Sequence, residues 1–482
     1  LNIKRPLFSM LGLVLLVLGI SMVFPLLLGL FDGTQEAWSF AWISAIGVFC
    51  GFAMFKAFQS EEEIEARDAY LLVALSWTLA GAFGAIPFLT FRAIGSFWPA
   101  FFETISGFTT TGSTVFGDVE SLPRCLLLWR SMTQWLGGMG IVVLFVALLS
   151  FFGNSGLKMY RAESTGPIKE KVVPRIRQTA KILWQTYVII TLFQIIILWM
   201  LGMPLFDSVC HTFCTVATGG FSIKNNSLAF YDSPAIHWAS AFFMAMCGVS
   251  FGLYYQAYKR RSLKVFWQSG EFRLYGSIMF LASMVCAVIL WQKGLPFQQA
   301  LLDGAFQVSS IMTTTGFVTE DFDLWPVVLQ LILLLIMFVG GCAGSTGGGI
   351  KVGRFLIIWK SMKTQFVKIL HPRAVVVTKV DGRPIPTDIV VVTLVFFFLY
   401  MLATALGTFW LAFLGLDLVT AFSAALTAIS NVGPGLSLVG PTRNFAFLPD
   451  SGLNVLSFLM VAGRLELYTV ILLFTREFWA EG

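Results

Sequence analysis

The sequence predicts an all-α polytopic membrane protein. Four tandem units, each a helix, a short re-entrant helix and a second helix, follow two additional N-terminal transmembrane helices in a pseudo-fourfold arrangement. Three observations predict it. The chain of 482 residues is 57% hydrophobic and 12% charged, about half the charged fraction of a soluble domain. Mean hydropathy is +0.80, and most of the length resolves into apolar segments of about 20 residues, each enough to cross ~30 Å of hydrocarbon. A run rich in threonine and glycine also recurs four times: Thr109-Thr110-Thr111-Gly112-Ser113, Ala217-Thr218-Gly219-Gly220-Phe221, Thr313-Thr314-Thr315-Gly316-Phe317 and the divergent Ser430-Asn431-Val432-Gly433-Pro434-Gly435.

The first apolar segment, Pro6 to Leu30, is too long for a signal-peptide core and has no small-residue cleavage site, so a retained transmembrane helix is expected. A second helix is expected over 38–57, and a charged turn (Glu61, Glu62, Glu63, Glu65, Arg67, Asp68) closes this region, 1–67. The first unit, 68–180, has a spanning segment at Ala69 to Phe91, a short apolar piece at Pro99 to Phe108, the threonine run, and a long segment at Leu122 to Phe152. The short piece decides the architecture. About ten residues cannot span a bilayer, yet the connections on both sides must be outside, so the piece has to dip in and return. Non-helical backbone at that depth is tolerated only inside protein or along a watery cavity.

The same order repeats. The second unit, 181–271, has helices expected near 181–202 and 235–258 with the dip at 206–217. The third, 272–387, has them near 272–292 and 326–340 or beyond with the dip at 300–312. The fourth, 388–482, has them near 388–415 and 452–474 with the dip at 418–429. Asp207 to Phe221 aligns with Asp303 to Phe317 at an offset of 96, and Ala100-Phe101 and Ala421-Phe422 both stand twelve residues before their glycine. Ten spanning and four re-entrant helices are the expected total.

Lys and Arg mark alternate connections: seven in Lys158 to Lys181, five in Lys259 to Arg273 and eight in Lys351 to Arg383. By the positive-inside rule these face the cytoplasm, which puts both termini inside. The other connections hold Asp118, Glu120, Asp232 and Glu320 to Asp323, acids that concentrate cations at the outer mouth. The net charge of +6 is thus a matter of topology, and no nucleic-acid partner is expected. Seven cysteines without framework spacing imply no disulfide scaffold. Cys210 and Cys214, with His211 between them, read as buried residues, since no further ligands complete a metal site. His211, His237 and His371 have no acid or nucleophile at useful spacing, so no enzyme is expected.

A re-entrant helix that starts outside points its partly negative C-terminus at the membrane centre, which favours a cation there. The residues after it climb outward, where carbonyls facing a shared axis can replace an ion's hydration shell. Gly112, Gly220, Gly316 and Gly433 occupy the equivalent place in each unit, where an inward carbonyl needs a residue without side-chain crowding. The expected ion-binding strips are Thr110, Thr111 and Gly112; Thr218, Gly219 and Gly220; Thr314, Thr315 and Gly316; and Asn431, Val432 and Gly433. Asp207, Asp303 and Asp417 stand near the starts of re-entrant helices, where a carboxylate caps an N-terminus. Glu103 is expected to pack behind the first strip.

Two features lie below that level. Gly340-Gly341-Cys342-Ala343-Gly344-Ser345-Thr346-Gly347-Gly348-Gly349 holds six glycines in ten residues, which no ordinary helix carries at about 1 kcal/mol each. A flexible loop that opens and closes the path is expected, with a close-packing helix kink as the alternative, and the break sets the third unit apart. Arg464, in Ala462-Gly463-Arg464-Leu465-Glu466, costs a few kcal/mol in the membrane unless it faces protein or water. It could pair with Glu466 or another acid, hold the glycine-rich loop, form a positive barrier, or snorkel to the inner interface.

With these residues in view, the chain resembles the membrane subunit of bacterial Trk-type potassium uptake systems, in the superfamily that includes the Ktr and plant HKT transporters. Thr109 to Gly112, Gly219-Gly220-Phe221-Ser222, Gly340 to Lys351, Asn431 to Gly435 and Gly463-Arg464-Leu465-Glu466 carry the resemblance. So do Tyr160-Arg161-Ala162-Glu163, Gly166-Pro167 and His371-Pro372-Arg373-Ala374 in cytoplasmic connections. The resemblance implies a potassium-channel-like filter with K+ at Thr111, Gly112, Gly219, Gly220, Thr315, Gly316, Val432 and Gly433. It implies a gate made of Gly340, Gly341, Gly344, Ser345, Thr346, Gly347, Gly348 and Gly349 with Arg464 beside it. It further implies K+ as the transported ion with no cofactor in this chain, and a homodimer in a bacterial inner membrane, among membrane lipid, docked on a cytosolic nucleotide-binding regulatory ring. Pro99 and Ser113 depart from the family pattern. Gly112 argues against the sodium transport that goes with serine at that place. The alternative is a secondary cation transporter coupled to H+ or Na+, whose discontinuous helices also meet at a midplane site. It would need a carboxylate in the path.

Overall fold

The computed structural model describes residues 5–60, 66–140, 176–373 and 375–479. The charged turn at Glu61 to Glu65, the end of the long segment after Gly140, and the basic connection with Tyr160 to Glu163 and Gly166-Pro167 lie outside the described residues, as does Ala374. The described chain is mostly helical. Six helices among the described residues are long and apolar enough to cross a membrane: Arg5–Phe31, Gln35–Ala57, Arg67–Thr90, Ala180–Met200, Gly270–Gln292 and Thr387–Phe413.

The first two spans pair as a hairpin at close range. A Cβ on Gly12 would lie 2.7 Å from the Gly51 carbonyl oxygen, so glycine at this crossing lets the two backbones touch, which is how apolar helices associate where no hydrophobic drive exists. Outward-facing Phe49 and Trp38 are 75% and 64% exposed, as expected of side chains in contact with lipid.

Between the spans lie four short helices: Phe97–Phe108, Leu205–Val216, Phe297–Met312 and Leu418–Ser430. All four are largely buried, and each ends at one of the four repeated runs. The third begins about a turn earlier than the alignment with the second implies.

The expected second helices differ from continuous spans. They run Arg124–Gly138, Pro234–Cys247, Val327–Phe338 and Asp450–Arg464, each below the ~20 residues that a span requires. The second resumes after Ser250 as Phe251–Arg260, bent by 88°. The third resumes after the glycine-rich segment as Val352–Leu370, and the fourth as Tyr468–Leu472. Among the described residues the break in the third unit is therefore the longest of three, so what sets that unit apart is the length of its break rather than having one. The physical reason is close approach. A Cβ on Gly137 would overlap the Phe108 carbonyl oxygen, and one on Gly463 the Ile429 carbonyl oxygen. Those carbonyls stand four residues before Gly112 and Gly433, at the ends of short helices, so in the first and fourth units the second helix ends where a short helix lands.

A two-stranded hairpin, Lys379–Val380 with Arg383–Pro384, turns at Asp381-Gly382, where both residues have positive φ, the combination a two-residue hairpin favours.

Candidate functional site

The four repeated runs meet. Each begins with a left-handed residue, Thr110, Thr218, Thr314 or Asn431, with φ of 55°, 54°, 61° and 57°. Two residues later each has a glycine at positive φ: Gly112 at 88°, Gly220 at 74°, Gly316 at 81° and Gly433 at 98°. The spatial order of the runs follows from what a Cβ on each glycine would strike. On Gly112 it would overlap the Gly219 carbonyl oxygen, on Gly220 that of Thr315, and on Gly316 that of Val432. On Gly433 it would sit 2.8 Å from the carbonyl oxygen of Thr111. The contacts run from unit one to two, three, four and back to one, a closed ring of backbone. Each glycine is obligatory on two counts: its φ disfavours L side chains, and a neighbouring carbonyl fills the space a side chain would need.

The braces are not the same in all four runs. In the first, Thr109 Oγ1 donates to the Ile105 carbonyl at 2.6 Å and lies 2.8 Å from Thr111 Oγ1. The third repeats this with Thr313 on the Ser309 carbonyl at 2.7 Å and 2.7 Å from Thr315 Oγ1. Ser106 and Ser310 likewise donate to the Ser113 and Phe317 carbonyls, both at 2.6 Å. The second run has Ala217 and Gly219 at the threonine places, and Gln134 supplies the support. In the fourth, Asn431 Nδ2 donates to Thr111 Oγ1 at 2.9 Å and to the Met460 carbonyl at 3.0 Å.

Behind the first and second runs lies a buried ion pair, Arg130 Nε to Glu103 Oε1 at 2.7 Å. Glu103 also accepts from Thr114 Oγ1 and the Val115 amide. Arg130 donates to the Ser222 carbonyl at 2.7 Å and lies 3.6 Å from the Phe221 ring centre. The packing of Glu103 behind the first run thus has a named partner. The connections above the ring are tied in the same cyclic order. Asn225 Nδ2 donates to Asp118 at 2.8 Å, which holds that carboxyl below its usual range. The Ala229 amide donates to the Val318 carbonyl, the Ser437 amide to Asp323, and the Phe445 amide to the Thr114 carbonyl. Asp118, Asp323 and Glu120, which faces Lys224 at 3.7 Å, therefore also serve as structural acceptors. A cavity of about 110 Å³ at this level is lined by residues of all four runs.

On the opposite side the glycine-rich segment lies directly against the ends of the short helices. The Gly348 amide donates to Thr314 Oγ1 at 2.6 Å, and Thr346 Oγ1 to the Val216 carbonyl at 3.0 Å. Arg464 donates to the carbonyls of Thr346 at 2.7 Å and of Gly137 and Gly138 at 2.9 Å each. Of the roles open to Arg464 in the sequence, holding the glycine-rich segment is supported by its bond to Thr346, and the same guanidinium ties that segment to the end of helix Arg124–Gly138. Buried Lys351 also donates to a carbonyl of the segment, that of Gly347. Glu271 ties both ends: its Oε1 accepts from the Ala343 amide at 2.7 Å and the Gly353 amide at 2.9 Å. Glu466 accepts from Arg354 at 2.7 Å. A second cavity, about 130 Å³, borders Gly344 to Gly349, Arg354 and Arg464.

Not every expected residue takes its expected place. Asp417 caps its helix, accepting from the Thr420 amide at 3.1 Å. Asp207 lies inside the first turn without a capping bond and accepts from Tyr231 Oη at 2.6 Å. Asp303 sits a turn further in, buried, accepting from Gln299, because the third short helix starts at Phe297. His211 bridges the Asp207 carbonyl and Ser222 Oγ at 2.9 and 3.1 Å, and Cys210 and Cys214 are buried thiols. Sequence reasoning passed over Gln134, Arg130 and Glu271. For the first two a signal was available, since polar groups within an apolar membrane helix mark specific partners.

The chain matches the family model described as "TrkH: Cation transport protein" over residues 39–480. It is 38% identical to the Trk system potassium uptake protein TrkH of Salmonella typhimurium over 99% of both chains. It is 33% identical to the Trk system potassium uptake protein TrkG of Escherichia coli over 98% of both. The crystal structure of the potassium transporter TrkH from Vibrio parahaemolyticus superposes with a TM-score of 0.90 at 35% identity, covering 99% of each chain. The chain belongs to the TrkH family of cation transport proteins.

Proposed function

We propose that this chain is the potassium-translocating membrane subunit of a bacterial K+ uptake system, with one pore per chain. The four short helices are re-entrant, the four runs form the selectivity filter, and the glycine-rich segment is the gate. The observation that carries this reading is the closed ring of backbone, Gly112 on Gly219, Gly220 on Thr315, Gly316 on Val432 and Gly433 on Thr111. Left-handed residues alternating with others turn successive carbonyls toward the same side. Four such strips around one axis offer stacked rings of oxygens that replace an ion's water. Thr111, Gly112, Gly219, Gly220, Thr315, Gly316, Val432 and Gly433 supply them. No covalent step is required. An inside-negative potential contributes about 2.3 kcal/mol per charge per 100 mV to inward movement.

The glycine-rich segment blocks the axis below the filter while Arg464, Lys351 and Glu271 hold it, and releases the path when those contacts loosen. In this reading the protein is a multi-pass inner-membrane homodimer with cytoplasmic termini, and a cytosolic nucleotide-binding ring sets the gate. A proton- or sodium-coupled transporter would need a carboxylate in the path. Glu103, the acid of the first re-entrant helix, is committed to Arg130, Thr114 and Val115.

Rubidium uptake into proteoliposomes holding this chain alone, with sodium and lithium competition and an imposed pH gradient, tests the reading. Uptake that sodium and lithium fail to compete, driven by membrane potential without a pH gradient, is expected. Uptake that requires the pH gradient would overturn the channel-like mechanism in favour of coupling, and equal competition by sodium would overturn the filter.

A further inference from the structure

The ring is fourfold in backbone but not in what supports it, and the second strip is the one whose ring carbonyl is gripped by a side chain of another unit. Strips one and three are braced from within by Thr109 with Thr111 and Thr313 with Thr315. At the same places strip two has Ala217 and Gly219, neither of which carries a hydroxyl. Gln134, fully buried on the second helix of the preceding unit, fills the gap. Its Nε2 donates to the Gly219 carbonyl at 2.6 Å, and its Oε1 accepts from the Phe221 amide at 3.0 Å. The carboxamide thus spans the filter glycine, Gly220, from one residue before to one residue after. A Cβ on Gly219 would come within 2.6 Å of Gln134 Oε1 and 2.7 Å of its Nε2, so Gly219 lacks a side chain where the amide needs the room.

We infer that Gln134 is a specificity-determining positioning residue for ion selection, an inference that rests on the filter reading above. The carbonyl it grips is no peripheral one. Gly219 O is the equivalent of Thr111 O, Thr315 O and Val432 O, the four oxygens that close the ring. A carbonyl has two lone pairs, so Gly219 can accept from Gln134 and still face an ion, but its direction and field are then set by the amide. Selection among alkali cations depends on the number, spacing and field of the coordinating carbonyls. One carbonyl in four held from outside its own strip is therefore a point of control, and Gln134 acts through it without touching the ion.

The experiment compares Gln134→Leu with the wild type in proteoliposomes, reading rubidium uptake and its inhibition by sodium, with Gly316→Ser as a filter control. Leucine keeps the volume and removes both hydrogen bonds. The expected result is a fall of about fivefold in rubidium-over-sodium preference, the scale of one buried hydrogen bond, with rubidium uptake retained. Total uptake reports general damage, whereas the ratio reports the carbonyl. An unchanged ratio in Gln134→Leu with a lost ratio in Gly316→Ser overturns the inference and leaves the filter standing. Unchanged ratios in both overturn the filter reading and the inference with it. Should Gln134→Leu fail to assemble, Gln134→Glu keeps the acceptor for Phe221 but lacks the amide donor. The same fall in ratio then supports the inference, and an unchanged ratio overturns it.

Discussion

Glu271→Ala should open the pore. The carboxylate is half-buried at the start of helix Gly270–Gln292 and takes two backbone amides, Ala343 at 2.7 Å and Gly353 at 2.9 Å. Those amides bracket the glycine-rich segment, so one side chain pins both its hinges. Hydrogen bonds to a charged acceptor are worth ~1.5–3 kcal/mol each. Partial exposure to water lowers that, and about 1–2 kcal/mol for the pair is the discounted value. If the pinned arrangement is the closed one, the open population rises by a factor of about 5–30. Glu271→Gln keeps an acceptor without the charge and should fall between alanine and wild type. The assay is rubidium uptake by the chain alone in proteoliposomes, with a deletion of Gly344 to Gly348 as the fully released reference. Unchanged or lower uptake in Glu271→Ala beside a leaky deletion would refute the hinge argument. A deletion that stays closed would refute the gate itself.

Three other perturbations test separate parts. Gly316→Ser forces an L side chain to φ of 81° and into the Val432 carbonyl, a strain of roughly 1–2 kcal/mol, so rubidium-over-sodium preference should drop about tenfold, read from competition uptake. Arg464→Ala removes three donors to Thr346, Gly137 and Gly138 and should raise uptake several-fold, while Arg464→Lys, with a single donor point, should recover part of the closure. Arg130→Met leaves Glu103 as an unpaired buried charge, which costs about 3–5 kcal/mol. The melting temperature in detergent should fall clearly, and adding Glu103→Gln should restore part of it.

The spans were legible in the sequence because hydrophobic length is a strong signal, and the four glycines of the ring because they recur with countable spacing. The breaks in the second helices were legible only where glycines cluster. A lone Gly248 or Gly463 in an apolar run costs about 1 kcal/mol, too little to distinguish a break from an intact helix. What decides the matter is tertiary. The Gly463 position must admit the Ile429 carbonyl, and no local pattern records that. Likewise the alignment of Asp303 with Asp207 was right in register, but neither carboxylate caps its helix: Asp207 lies within the first turn, and the third short helix begins a turn earlier and leaves Asp303 deeper inside it.

The divergence of the repeats has a physical consequence that their alignment conceals. A ring of four identical strips needs only one kind of brace. Here two strips hold themselves with threonine pairs, one is held by Gln134 from a neighbouring unit, and one reaches out through Asn431 to Thr111 and Met460. The two borrowed braces alternate with the two internal ones around the ring. Substitutions in equivalent glycines should therefore not be equivalent in effect. A displaced strip one or three can be restrained by hydroxyls that move with it, whereas a displaced strip two pulls against an amide anchored in another helix. Single serine substitutions at Gly112, Gly220, Gly316 and Gly433, compared for rubidium-over-sodium preference, should separate into two classes by strip, odd against even. Four equal losses would mean that the backbone ring alone sets selectivity and that its supports do not matter.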